Sequence, residues 1–489
     1  MIDHRVIRSF LIFLAALMCV SAIACTRNNS AQVDTTTAAF SDSSLAETTQ
    51  QSYLESLPDA DYGNRAFNIL VRTHKKWEMH APDINGQTVN DAVHARNIAV
   101  SDKYNVILNI IDVAGTWNSR DNFKKTVSAS VLADDGMYDL VASCMFYMAD
   151  LTTENYFANL LDIDTLNLSN NWWASGFVEN NTVNNKLYYT VGEVCLTMWD
   201  GMFVIDFNKD MAEQLGLPDM YQLVKDKKWT LDKLFEFSAN RYIDNNSGGT
   251  KDDGDTYGFV TNVNCLRPVI YTSGLRICKL NADNTATMTL GGEKYQNLYK
   301  KLYNNLLETD SCYYMADTEA SLKLFSEERT LFYSARNWNC EGLRKLEINF
   351  GILPYPMYDE GQENYISVTD GDCSMFSILS RVRDADMSGR ILEALSAESA
   401  YSVIPQYYDS ILKYRNVNDE ESGEMLDLIR DTLFIDFGFV HSQSIGMPYL
   451  FLTNALSAKQ GSISGVFKAE NVKYQKQLDI MMQAYAKDS

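Results

Sequence analysis

Trp117, Phe146 and Tyr147 fall in loops that leave the carboxyl ends of neighbouring strand patterns, where side chains of an α/β sheet can meet a small ligand. A flat aromatic face stacks on the C–H face of a sugar ring, while arginine and carboxylate groups hydrogen-bond its hydroxyls. Ordinary packing explains each aromatic alone equally well. Other chemistry has weaker support. The 64 Asp and Glu residues supply carboxylate pairs everywhere, so two-carboxylate hydrolysis is neither indicated nor removed. The chain has no Gly-x-Ser-x-Gly elbow, His-Glu-x-x-His, P-loop or Gly-x-Gly-x-x-Gly. His74, His80, His94 and His441 stand in no paired spacing, which argues against histidine catalysis or a metal centre.

The remaining polar chemistry gives limits. A net charge of -22 argues against nucleic acid as a partner, because phosphate binding needs clustered Lys and Arg. Past Cys19 and Cys25, the seven cysteines Cys144, Cys195, Cys265, Cys278, Cys312, Cys340 and Cys373 form no CxxC pair and read as small buried hydrophobes. The stretch 244–255 matches a calcium loop at its first, third, sixth and ninth positions. It offers Gly248 at the fifth and Asp255 at the twelfth, so a solvated turn is the better reading. No metal or cofactor is expected.

The elements that must position these residues alternate. Phe67–Arg72 reads as a buried strand, 88–103 as a helix, Val106–Ile111 as a strand, 122–132 as a helix and Tyr138–Ser143 as a third strand. Strands separated by helices imply a parallel sheet covered on both faces, hence an α/β fold. Lys186–Val191 reads as a further strand. The apolar pattern starts near Ala66, leaving about 430 residues to fold, more than one core usually holds, so two lobes are expected.

The N-terminus points outward from the cell. Arg5 and Arg8 precede an apolar run from Phe10 to Ile23, and Ala22-Ile23-Ala24 precedes Cys25. The run is shorter than the roughly 20 residues that span a bilayer. Residues 1–24 therefore read as a lipoprotein signal peptide, and Cys25 as the lipidated N-terminus. Residues 25–60 follow as a polar, disordered tether.

From residue 202 a more specific pattern begins. Phe207-Asn208-Lys209-Asp210-Met211 closes a strand, Gly216-Leu217-Pro218 ends the next helix, and Trp229-Thr230 opens another. Asp255-Thr256-Tyr257-Gly258-Phe259 and Phe350-Gly351-Ile352-Leu353-Pro354-Tyr355-Pro356 follow in order. Over about residues 65 to 485 the chain resembles the sugar-type extracellular solute-binding proteins of ABC importers, family 1, to which maltose-binding protein belongs. Asp206 departs from that pattern and has no role in it.

The resemblance implies two α/β lobes joined by hinge crossovers, with a ligand cleft between them. One lobe would be 61–200 with 330–380, the other 201–329 with 381–489. It implies a binding protein without catalysis. The chain would be a monomer that captures a small polar solute, a mono- or oligosaccharide, and delivers it to the permease subunits of an ABC transporter. Its lipid anchor would hold it at the outer face of the bacterial plasma membrane. It also implies ligand contacts at Arg72 and His74 after the first strand and at Phe146 and Tyr147 after the third. Further contacts would be Trp199 and Asp200 before a crossover, Trp338 as a stacking tryptophan, and Asp370 and Asp372 near another crossover. A surface-anchored carbohydrate hydrolase and a receptor lobe of a signalling system are the alternatives.

Overall fold

The structure is a computed structural model that describes residues 52–316, 318–346, 348–407 and 419–486. The leader, Cys25 and the tether up to residue 51 lie outside the described residues. Arg65–Arg72 (β1), Val106–Val113 (β2) and Leu140–Cys144 (β3) are followed by Phe203–Asn208 (β4) and Tyr257–Asn262 (β5). After them come Cys278–Leu280 (β6), Ala286–Met288 (β7), Cys312–Met315 (β8), Thr330–Arg336 (β9), Phe350–Leu353 (β10) and Ser374–Ser377 (β11). The first sheet has the order β11-β3-β1-β2 and the second β10-β4-β9-β5-β8, while β6 and β7 make a small ribbon.

Local chemistry explains the first sheet. In β1, Phe67, Ile69, Leu70 and Val71 are all buried, as expected of a strand covered on both faces. Helix Thr88–Tyr104 ends on Asn105 and helix Arg120–Ala133 on Asp134, both in the left-handed conformation that releases a helix into the next strand. β1 pairs in parallel with β2 and β3, and β11 adds an antiparallel edge. Lys186–Val191 forms no strand. Thr190 bridges to Phe376 and Lys186 to Val183, isolated pairs that do not extend into a ladder.

In the second sheet β9 lies between β4, to which it is antiparallel, and β5, to which it is parallel, and all seven of its residues are buried. Residues 330–353 therefore belong with the second sheet and not, as expected above, with the first lobe. The C-terminal assignment also changes. Helix Ala385–Glu398 packs on helix Thr88–Tyr104 beside the first sheet, whereas helix Glu420–Asp431 packs on β10 of the second. The tether is shorter than expected, since Tyr53–Ser56 is a helix with Leu54 buried and the Tyr53 ring 5.6 Å from that of Trp172. Among the described residues no helix is long and apolar enough to cross a membrane.

The chain passes between the sheets at residues 199–203 and 367–370, which pair side by side. Phe203 N donates to the Val368 carbonyl at 3.1 Å and Asp370 N to that of Gly201 at 2.9 Å. All seven cysteines are free and buried. Asp206 is fully buried in β4; burial holds its carboxyl well above the usual range, beside the Cys340 thiol at 3.9 Å. In the loop 244–255, Asp244 accepts from the amides of Gly248 and Gly249, and Asp255 from Asn245 N and the Tyr242 hydroxyl.

A buried histidine makes the fold acid-sensitive. His441 Nε2 meets the hydroxyls of Tyr189 and Tyr485, the latter at 2.9 Å, and burial pulls its pKa down to about 3. A depressed folded value means that the contribution is present above the unfolded value and lost as pH falls from about 6.5 towards 3. Lowering the pH from 7 to 4 should cost roughly 2 to 3 kcal/mol through this residue. Urea unfolding at several pH values should show that slope flattened in His441→Asn. Asp436 acts oppositely: burial lifts it to about 7 despite Arg276, so its contribution is lost as pH rises through 7.

Candidate functional site

A cavity of about 540 Å³ opens where the carboxyl ends of β1, β2 and β3 face those of β5 and β9. His74 enters from the turn Thr73–Glu78, Thr116 and Trp117 from the loop after β2, and Cys144 and Phe146 from the end of β3. The second sheet supplies Asn264 and Arg267 after β5 and Arg336 at the end of β9. Asp370 and Asp372 reach in from the crossover before β11, and Tyr449 and Leu450 from the turn Pro448–Leu450. This convergence follows from topology, since strand ends are where α/β loops collect.

One wall is aromatic. The Phe146 ring stacks on Tyr449 at 5.7 Å and 14°, with Trp117 edge-on to it at 6.2 Å and Phe439 at 5.3 Å. A Cβ at residue 371 would stand 2.4 Å from the Phe146 ring, so Gly371 is what lets the crossover approach it. Trp117 is 44% exposed and has Arg120 4.4 Å above its ring.

The opposite wall is charged and paired. Arg72 forms an ion pair with Asp372 through Nη1, and its Nη2 donates to the Asp372 carbonyl at 2.7 Å. His74 and Lys75 each stand 3.5 Å from the same carboxylate. Burial pushes the Asp372 carboxyl up, but its hydrogen bond with His74 and the Arg72 and Lys75 charges prevail and hold it well below the usual range. Arg336 Nε bonds Asp370 at 2.6 Å, and Asp372 N donates to Asp370 at 2.9 Å. Burial pushes the Cys144 thiol up to about 12, so it lines the cavity without being a nucleophile.

Of the expected contacts, His74, Trp117, Phe146, Asp370 and Asp372 come together here. The others do not line the cavity. Arg72 is wholly buried beneath Asp372, and Tyr147 points into the core to donate to the Gly115 carbonyl at 2.7 Å. Trp199 is 5% exposed, its Nε1 bonded to Glu193 and its ring covered by Arg430, and Asp200 follows it at the crossover. Trp338 is half-buried on helix Asn337–Arg344, with Lys75 at 5.4 Å and Arg336 at 4.9 Å over its ring. Sequence reasoning missed Asn264, Arg267, Arg336 and Tyr449. The strand-end rule, applied to β5 and β9 as to the first sheet, finds the first three; Tyr449 carries no such signal.

A wider hollow of about 700 Å³ runs along the edge of β2, against Met79–Pro82 and helix Thr88–Tyr104. It lies off the strand ends and gathers no Asp, Glu, Lys or Arg, so the smaller cavity is the better candidate.

No protein-family model and no curated protein matches the chain. Solved structures do. A cyclo/maltodextrin-binding protein complexed with maltotetraose aligns at TM-score 0.59 and 14% identity, over 84% of this chain and 97% of that one. The cyclic α-maltosyl-1,6-maltose binding protein of Arthrobacter globiformis aligns at 0.57 and 13%, over 85% and 100%. The GacH receptor of Streptomyces glaucescens, solved with and without acarbose, aligns at 0.55 and 13%, over 85% and 98%. With β1 to β5 and β8 to β11 divided between two sheets and a cavity at their facing strand ends, the chain has the two-lobe α/β fold of the ABC-importer solute-binding proteins.

Proposed function

We propose that the protein is a lipid-anchored extracellular solute-binding protein that captures a mono- or oligosaccharide unchanged and passes it to the permease subunits of an ABC importer. The carrying observation is the cavity itself. Phe146 stacked on Tyr449, with Trp117 edge-on, faces a wall of paired charges, and a volume of about 540 Å³ lies within the range of small-molecule sites, about 300–1,000 Å³. The rings offer stacking faces, and Asn264, Asp370 and Asp372 offer hydroxyl partners. Proteins of this fold solved in complex with maltotetraose, acarbose or lacto-N-biose support a sugar as the solute. The anchor at Cys25, the tether and residence on the outer face of the plasma membrane rest on the leader pattern.

Closure of the two sheets about the crossovers at 199–203 and 367–370 would signal a loaded state. A hydrolase that uses Asp372 as its general acid is disfavoured, because its cations hold that carboxyl well below the usual range.

The test is a thermal-shift screen of residues 26–489 against mono- and oligosaccharides, with peptides and polyamines as controls. A ligand at 100 times its dissociation constant stabilises by about 2.7 kcal/mol. A saccharide that shifts the transition and is recovered intact supports the reading. One recovered cleaved makes the protein a hydrolase, and a shift with controls alone removes the carbohydrate assignment. With a sugar identified, Phe146→Ala should weaken it about ten-fold or more in calorimetry, by removing the central stacking face.

A further inference from the structure

One cation that lines the cavity has no carboxylate partner among the described residues. Arg336 is paired with Asp370, and Arg72 and Lys75 with Asp372. Arg267 is different. It lines both the cavity and the apolar recess behind Phe146, where Phe203, Tyr271 and Phe439 lie. Its guanidinium carbon stands 5.7 Å from the Tyr449 ring centroid. Its Nε is shut off from solvent with no hydrogen-bond partner, and among the described residues no carboxylate forms an ion pair with it. Of the charged residues that line the cavity, Arg336, Asp370 and Asp372 are each held in an ion pair, so Arg267 is the cation left over among the described residues, in a chain whose net charge is -22. Glu78 lies deeper, bonded to Thr197 and Ser374, with the buried Arg96 at its own carbonyl.

A guanidinium presents five donors in a planar fork that matches a carboxylate or an oxyanion of the same geometry. A neutral sugar hydroxyl fills one donor and leaves the charge unanswered, whereas an anion fills two and neutralises it. We propose that the saccharide taken by this cleft carries an anionic group, a carboxylate or a sulfate ester, and that Arg267, held against Tyr449, reads it. This rests on the carbohydrate reading above. The anion docks on Arg267 beside the ring stack while the neutral face of the sugar lies on Phe146 and Trp117. An unpaired guanidinium at the site also disfavours polyamines.

Calorimetry on the leaderless chain decides it, comparing galacturonate with galactose, digalacturonate with galactobiose, and galactose 6-sulfate with galactose. The expected result is that an acidic sugar binds about ten-fold or more tightly than its neutral counterpart, with a preference that shrinks as salt rises. In Arg267→Gln the ratio of acidic to neutral affinity should fall to about one, while Arg267→Lys keeps part of it. The carboxylate and sulfate arms tell which anion is read. Neutral sugars binding as tightly as acidic ones, or a preference that survives Arg267→Gln, overturns the inference and leaves the carbohydrate reading standing. Binding of citrate as tightly as galacturonate overturns the saccharide part. Failure of every sugar, neutral and acidic, removes both readings. Should Arg267→Gln not fold, the acidic-to-neutral ratio and its salt dependence in the unaltered chain still decide.

Discussion

Truncating Trp229 to alanine is expected to destabilise the protein by about 3–5 kcal/mol. Trp229 has no exposed surface, its ring centroid lies 5.5 Å from that of Phe332 in β9, and its Nε1 donates to the Pro354 carbonyl at 2.9 Å. Its main chain ties into the segment after β10 as well, accepting from Met357 N at 3.1 Å. Alanine removes a large apolar volume and strands the Pro354 carbonyl, so a cavity and an unmet acceptor add up. Urea unfolding should report the loss, and Trp229→Phe should recover part of it. Sugar affinity of the folded fraction should be unchanged, because Trp229 does not line the cavity. A stability change below about 1 kcal/mol would mean that the site collapses around the gap, contrary to this packing.

Arg336→Ala is expected to cost a similar amount, about 3–5 kcal/mol, by a different route. Arg336 and Asp370 have side chains 9% and 10% exposed and form a pair at 2.6 Å. Burial works against the guanidinium charge, but the Asp370 carboxylate prevails and holds it above its usual value. Removing arginine leaves that carboxylate, with its side chain 10% exposed at the cavity wall, with the Asp372 amide as a remaining donor. The guanidinium also lies 5.1 Å from the Phe203 ring and 4.9 Å from that of Trp338, so its loss undoes two aromatic contacts. The double variant Arg336→Met, Asp370→Asn should be more stable than the single one, since it leaves no unpaired buried charge. Urea unfolding of the unaltered chain, Arg336→Met, Asp370→Asn and the double variant gives the coupling.

The first sheet was legible for a simple reason. Its strands are local apolar runs and its helices carry local periodicity, so Phe67–Arg72, Val106–Ile111 and 88–103 come close to the observed Arg65–Arg72, Val106–Val113 and Thr88–Tyr104. Lys186–Val191 has the same local signal yet forms no strand, because a strand needs a partner and β11 offers it one residue. Residues 330–353 were set in the wrong half for a related reason. Nothing in their own composition says that β9 pairs with β4 and β5, two strands far apart in the chain.

The site divides the same way. Strand-end position identified Trp117 and Phe146, and the resemblance added His74, but position cannot say which of two consecutive aromatics turns outward. Phe146 faces the cavity and Tyr147 the core, because the Tyr147 hydroxyl finds the Gly115 carbonyl. Tyr449 lies some 300 positions from Phe146 and reaches its ring only in the folded chain. By itself the sequence carried the leader pattern, the alternation of strand and helix, the net charge that argues against nucleic acid and the loops at which a ligand could be met. These are properties of composition and of short-range periodicity, which a chain carries before it folds. The tertiary structure alone decided which sheet each late strand joined, which expected contacts lie behind the wall, and that among the described residues no carboxylate forms an ion pair with Arg267. Those depend on pairings between distant residues, whose energies exist only once the chain has closed.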